Sequence, residues 1–397
     1  MKLLWLDLNS SYAHSSLALP ALHAQIADDT TVEWCMVSAT INENTGNIVK
    51  QIYQHQPDII AATNWLFNHE QLLHIVSRAK ALLPQCCIIL GGPEFLGDNK
   101  DFLFKNKFVN GVFRGEGEEV FPLWLKVWNR PRKEWKSITG LCYLDESEEY
   151  QDNGIARVMN FSALVSPERS RFFNWSKPFV QLETTRGCFN TCAFCVSGSE
   201  KPVRTIPLEA IRERLDNIHQ HGIKNVRVLD RTFNYNNKRA KDLLNLFCEY
   251  PDIRFHLEIH PALLSEELKN ELAALPDGLL HLEAGIQSLR EPVLEQSRRI
   301  GKLSDALEGL KYLCSLKNME THADLIAGLP LYHLTEIFED VRTLAEYGAG
   351  EIQLESLKLL PGTEMRRRAE ELGIQYSPLP PYEVLQTKEI SVEELQT

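Results

Sequence analysis

Three cysteines crowd into a stretch of eight residues. Cys188, Cys192 and Cys195 lie in Arg186-GCFNTCAFC-Val196, a C-x3-C-x2-C spacing. Iron–sulfur clusters are held by thiolates, and spacings this short let one loop wrap three corners of a cubane. A fourth cysteine at matching spacing is missing, since the next is Cys248. In an electron-transfer ferredoxin that would be a defect; in a catalyst it leaves one iron free to bind a small molecule. A structural zinc site would instead want four protein ligands arranged as paired C-x2-C elements. The expected chemistry is that of a [4Fe–4S] cluster with one open iron.

The other six cysteines, Cys35, Cys86, Cys87, Cys142, Cys248 and Cys314, are scattered in apolar surroundings. There cysteine behaves as a small hydrophobe. With no export signal in MKLLWLDLNSSYAH, they read as thiols of a cytoplasmic protein rather than as a disulfide framework. The chain has 397 residues, 44% hydrophobic and 24% charged, and no apolar run approaching the ~20 residues of a membrane span. Its net charge of −12 argues against a broad basic surface, so the expected partner is a small molecule or peptide, with neither nucleic acid nor membrane.

The cysteines need a scaffold, and the hydrophobic pattern supplies one. Over residues 1–130, apolar runs at Leu3–Leu8, Val32–Val37, Asp58–Ala62, Cys87–Leu90 and Val109–Phe113 alternate with amphipathic stretches such as Glu70–Leu82 and Glu118–Val127. Near-continuous apolar strands imply a parallel sheet covered on both faces, a doubly wound, Rossmann-like α/β domain. The strand ends carry turn formers: Asn9-Ser10-Ser11, Gly91-Gly92-Pro93 and Gly115-Glu116-Gly117. Ligands of open parallel sheets bind along that edge.

Residues 131–173 read as a connecting segment, with strand-like Ile138–Leu144 and the acidic Asp145–Glu149. From residue 174 to 397 a second alternation follows. Its candidate strands are Val180–Glu183, Val226–Asp230, Ile253–Glu258, Leu279–Ala284, Thr321–Ile326 and Ile352–Leu357, with helices such as Leu208–His221 and Leu331–Tyr347. Six such repeats suit a (β/α)6 partial barrel, whose reactive groups gather at the carboxyl ends of the strands. The three cysteines follow the first of these strands directly. The chain stops at SVEELQT after SPLPPYE, so a further C-terminal segment is expected.

The cysteine spacing resembles the signature of the radical S-adenosylmethionine (radical SAM) superfamily. The resemblance implies that the open iron is chelated by S-adenosylmethionine, which an electron from the cluster cleaves to methionine and a 5′-deoxyadenosyl radical. It also implies further cofactor contacts. Phe194 matches the aromatic position packed on the adenine side. HLEAGIQS, with Glu283 and Gln287, resembles the fourth-strand segment, and DLIAGLP, with Gly328, the fifth. LLPGT resembles the sixth-strand turn. Glu258, which ends FHLEIHP, suits hydrogen bonding to ribose hydroxyls and the methionine ammonium, as do Glu283 and Gln287.

VLDRTFNYN, which contains Asp230, together with GGPEF and RGEGEEVF, resembles the cobalamin (B12)-binding-domain subgroup of this superfamily across essentially the whole chain to LLPGT. In that subgroup the N-terminal domain holds cobalamin, whose methyl group passes to a substrate carbon. The resemblance makes Gly91, Gly92, Gly115 and Gly117 candidates for close approach to the nucleotide tail; they equally suit ordinary strand-to-helix turns. One element departs from cobalamin proteins at large: the Asp-x-His-x-x-Gly loop is absent, and His14 in SSYAHSS reads as a solvated or capping histidine. The basic run Arg366-Arg367-Arg368 reads as a solvated helix face with Arg366 and Arg367 four residues before Glu370 and Glu371.

Three functions follow from these residues. The first is cobalamin-dependent methyl transfer to an unactivated carbon, fed by an electron donor such as flavodoxin or ferredoxin. The second is a radical rearrangement or cyclisation with a degenerate, cobalamin-free N-terminal domain. The third is a non-enzymatic iron–sulfur redox sensor.

Overall fold

The computed structural model describes residues 1–396, which divide into two compact units, the first ending at Lys177 and the second beginning at Pro178. The first is built on strands β1 (Lys2–Asn9), β2 (Glu33–Thr40), β3 (Ile59–Thr63), β4 (Cys87–Gly91) and β5 (Gly111–Phe113), which pair in parallel in the order β2-β1-β3-β4-β5. Strand order reverses between β1 and β3, the switch point at which doubly wound sheets open a ligand crevice. Both faces are sealed. Leu4, Leu6, Ile60, Ile88 and Leu90 pack under the helices Thr45–His55 and His69–Leu82, while Leu3, Trp5, Ile59 and Ile89 pack on the opposite side with Trp124 and Phe121. Residues expected to connect the two halves instead extend this sheet: β6 (Leu141–Leu144) and β7 (Tyr150–Asp152) add to it antiparallel.

The second unit begins with β8 (Val180–Leu182). A short antiparallel pair, β9 (Thr185–Arg186) with β10 (Arg204–Thr205), brackets the cysteine loop. Then come β11 (Asn225–Val228), β12 (Arg254–Ile259), β13 (Leu280–Gln287), β14 (Glu320–Ala327) and β15 (Glu351–Ser356). These six form one all-parallel sheet in the order β15-β14-β13-β12-β11-β8. The expected doubly wound sheet followed by six β/α repeats is what the chain adopts. β12 and β13 alternate strictly: Phe255, Leu257, Ile259, Leu280, Leu282, Ala284 and Ile286 are buried on one face, and His256, Glu258, His281, Glu283, Gly285 and Gln287 occupy the other. Period-2 geometry thus lines one side of the sheet with polar side chains.

The arginine run departs from expectation. The helix breaks at Arg368, between Glu364–Arg367 and Ala369–Leu372, so the spacing to Glu370 and Glu371 is lost. Arg366 lies over the Tyr382 ring at 4.4 Å and donates to the Leu359 carbonyl, while Arg368 pairs with Glu364 and Glu371. No helix among the described residues is long and apolar enough to cross a membrane.

Candidate active site at the cysteine loop

The loop after β8 is held from several sides. Asp230, wholly buried beyond the end of β11, accepts from Thr184 N at 2.8 Å, from Thr185 N at 2.9 Å and from the Thr184 hydroxyl. Burial raises its carboxyl pKa and these donors oppose the rise. Its acceptors are engaged by the strand that launches the loop, so its contact in the structure is to the scaffold of the site.

Downstream, Ile300 N donates to Asn190 Oδ1 at 2.9 Å, Ala193 N donates to the Ser297 carbonyl at 2.9 Å, and the Thr191 hydroxyl donates to the Arg298 carbonyl at 2.9 Å. Met365 N donates to the Ala193 carbonyl at 2.8 Å. Gly187 takes φ 89° as the chain turns into the loop, and the Cys188 amide donates to the Glu200 carbonyl at 3.1 Å. Three distant segments therefore fix a backbone that forms no long regular element of its own.

Cys188 and Cys192 are buried and Cys195 is partly so; all nine cysteines are free thiols. Burial pushes Cys192 up to about 11, although the Arg299 guanidinium, 3.8 Å from its Sγ, pulls the other way. Burial also raises Cys195, which lies within the fields of Arg231, Cys188 and Glu258. Thiols of this kind ionise when a metal centre takes them up. Three thiols on one loop, with a guanidinium alongside Cys192 to compensate an anionic centre, fit a thiolate-bound cluster.

The remaining sequence candidates are spread over this unit. Phe194 packs on the core that includes Leu329, Tyr332 and Leu357, as do Ile326 and Ala327. Glu258 is raised to about 7 by burial, with Arg231 opposing. Gln287 sits at φ 74° beside a bulge in β13, close over Gly285. Gly328 takes φ 86° at the end of β14, where a side chain would find ordinary contacts with Val384 and Leu357. Glu283 pairs with His256 Nε2 at 2.9 Å, which holds its carboxyl well below the usual range.

Sequence reasoning missed three participants here: Arg299, Asn190 and His260. His260 is buried with neither ring nitrogen hydrogen-bonded, lowered to about 3 by desolvation, and lines a small cavity with Gly285, Ser288 and Arg299. No local spacing announces them; only Asn190, inside the cysteine segment itself, offered a signal.

In the first unit Gly92 and Gly115 press on protein backbone. A Cβ on Gly92, at φ 110°, would lie 2.5 Å from the Asn64 carbonyl oxygen, and one on Gly115, at φ 101°, 2.3 Å from that of Ala156. Gly91 accepts from Asn64 N at 2.7 Å, and Gly117 abuts Leu22. Beside the switch point, the loops after β1 and β3 carry exposed Tyr12 and Phe67 and the fully buried Asn64, whose Oδ1 has no hydrogen-bond partner. The Asn64 amide nitrogen meets His69 Nδ1 at 3.1 Å, and the exposed aromatic surface beside this edge suits a large ring ligand. His14 bonds the Ser11 hydroxyl through Nδ1 at 2.8 Å, within the loop.

Residues 182–347 match the family profile described as Radical SAM superfamily, and residues 7–124 match that of the B12 binding domain. The chain carries a radical SAM domain and a B12 binding domain. The protein is 25% identical over 331 residues to an uncharacterised methyltransferase, PH0819, of Pyrococcus horikoshii, covering 80% of the present chain and 71% of that protein. It is 21% identical over 348 residues to the cobalamin-dependent radical SAM methyltransferase TokK of Streptomyces tokunonensis, covering 81% of the present chain but only 50% of TokK. The fold is that of the radical S-adenosylmethionine methyltransferase TsrM from Kitasatospora setae, determined with cobalamin and a [4Fe-4S] cluster bound: TM-score 0.74, 17% identity, 99% of this chain and 80% of that one. The two domains imply a [4Fe–4S] cluster and S-adenosylmethionine in the second unit and cobalamin in the first.

Proposed function

We infer that this protein is a cobalamin-dependent radical SAM enzyme that methylates an unactivated carbon of a small molecule. The observation that carries the reading is the buried three-thiol loop at the mouth of a parallel six-stranded sheet, in a chain that also bears a B12 binding domain. When bound, the cluster and S-adenosylmethionine supply a 5′-deoxyadenosyl radical, and cobalamin supplies the methyl group.

In this reading Cys188, Cys192 and Cys195 hold three irons. Arg299 offsets negative charge at Cys192, and Asp230 clamps the strand end from which the loop departs. Glu258 and Gln287 face S-adenosylmethionine from the strand ends, Phe194 and Gly328 border its adenine, and the Gly91-Gly92 and Gly115-to-Gly117 turns border the cobalamin tail. Residues 1–130 form the core of the cobalamin domain, 131–173 add two strands to its sheet before the chain passes on, and the radical core follows from about residue 174. A cytoplasmic flavodoxin or ferredoxin delivers the electron. The rearrangement reading, with a cobalamin-free first unit, is disfavoured by the match to the B12 binding domain.

Anaerobic reconstitution of the full chain tests this. We expect about four irons and one corrinoid per chain, and release of 5′-deoxyadenosine under strong reductant. Cys188→Ala, Cys192→Ala or Cys195→Ala each abolishes that release. Iron without corrinoid removes the methyl-transfer reading; unchanged cleavage in all three variants removes the cluster assignment.

A further inference from the structure

Three consecutive strands repeat one short pattern: His256-x-Glu258 on β12, His281-x-Glu283 on β13 and His322-x-Asp324 on β14. Parallel register sets His256 beside His281 and Glu283 beside His322. The three imidazoles pack together, with ring centroids 4.8, 5.0 and 5.8 Å apart.

Their hydrogen bonds run in one direction. Ionised Glu283 only accepts, so His256 Nε2, 2.9 Å away, donates to its Oε2. His256 Nδ1 must then accept from His281 Nδ1 at 3.0 Å. That leaves His281 Nε2 to accept from His322 Nδ1 at 3.2 Å. With one proton on each ring, His322 Nε2 is a bare lone pair. His322 is 6% exposed, and neither its Nε2 nor Asp324 Oδ1 has a hydrogen-bond partner.

That nitrogen lies 3.5 Å from Glu283 Oε2 and 3.6 Å from Asp324 Oδ1. Three lone-pair atoms converge here, and all three lie within 4.8 Å of one another. Buried acceptors turned on each other repel unless a proton or a metal cation lies between them; burial and Glu283 push the Asp324 carboxyl up to about 8, so without a metal a proton takes that place. Ligands bound tetrahedrally at about 2.0–2.2 Å stand about 3.3–3.6 Å apart, which the two separations from His322 Nε2 match. Calcium wants six to eight oxygens at longer range, and a nitrogen–oxygen set without thiolate suits Zn(II), Mn(II) or Fe(II).

We propose that Glu283, His322 and Asp324 form a second metal site on the polar face of this sheet, taking a divalent first-row transition ion, with Zn(II) the best fit. His256 and His281 orient the ligands through the hydrogen-bond chain, an arrangement usual around metal-bound imidazole. Three protein ligands leave a fourth position open to water or substrate oxygen. Glu283 then serves this ion rather than the methionine ammonium. The proposal goes beyond methyl transfer and does not depend on the cluster.

The test is metal analysis of the full chain, cluster-reconstituted so that the cysteines are occupied, equilibrated with micromolar Zn(II) and desalted. One zinc per chain is expected above the iron, and the same zinc in the C188A/C192A/C195A chain. Asp324→Asn, which preserves shape, and His322→Gln should each weaken binding at least about tenfold, with circular dichroism reporting whether they fold. Cobalt(II) in its place should give four-coordinate d–d bands with no thiolate-to-cobalt charge transfer. Zinc absent from the folded wild-type chain, as when a proton alone occupies the site, overturns the proposal, as does equal retention by folded Asp324→Asn. Zinc present without iron would instead remove the cluster reading and leave this one standing.

Discussion

The two sheets of this molecule are built from the same strand–helix alternation and use it in opposite ways. In the first, β3 and β4 are buried at four consecutive positions each, side chains on both faces lying under helices. In the second, β12 and β13 bury every other residue and turn histidines and carboxylates to the free face. A sheet sealed on both sides can offer chemistry only at its edge, where turns and loop residues gather. One with an open polar face can offer it along the strands as well. The first unit is thus organised for holding and the second for reacting.

That contrast can be broken from either side. The largest effect should come from the sealed sheet. Leu4 is fully buried in its core, so Leu4→Ala should cost about 2–5 kcal/mol in denaturant unfolding. Iron incorporation by the surviving folded protein should be unchanged. A small stability loss accompanied by lost iron would mean that the two sheets do not divide their labour.

A smaller effect should come from the polar face. Burial raises Glu258 from 4.5 to about 7 in the folded chain. The folded state therefore binds this proton more tightly than the unfolded state. Its favourable contribution is fully present below the unfolded value and is lost as pH rises through the folded one. Without cofactors, the Glu258 contribution alone should remove about 3 kcal/mol of stability between mildly acidic and mildly alkaline pH. Glu258→Gln should flatten that portion of the profile; an identical slope in the variant would contradict the assignment.

How much of this was legible in the sequence follows from what is local. Cysteine spacing is local, because one loop must close around one cluster, and apolar runs are local, because a strand carries its own period. Both sheets and the thiol loop could be read accordingly. What was not legible depends on pairings between elements separated by helices of arbitrary length. Thr184 meets Asp230 across 46 positions and Cys192 meets Arg299 across 107. Asp230 stood out as a residue in a motif, but its acceptors face the backbone of Thr184 and Thr185, which no spacing announces. The histidine face had a signal of its own, the thrice-repeated His-x-acid pattern in otherwise apolar strands. Its meaning emerges only when register sets the strands side by side. The arginine run erred for the opposite reason: local helical spacing was assumed where tyrosine rings and a broken helix decided.

The central claim is the three-thiol grip with one iron left for S-adenosylmethionine, and Mössbauer spectroscopy of anaerobically reconstituted, isotopically enriched protein tests it most directly. A cuboidal four-iron centre in which one iron site alone changes on adding S-adenosylmethionine is the predicted result. No cuboidal centre, or one whose irons are all indifferent to S-adenosylmethionine, would contradict it.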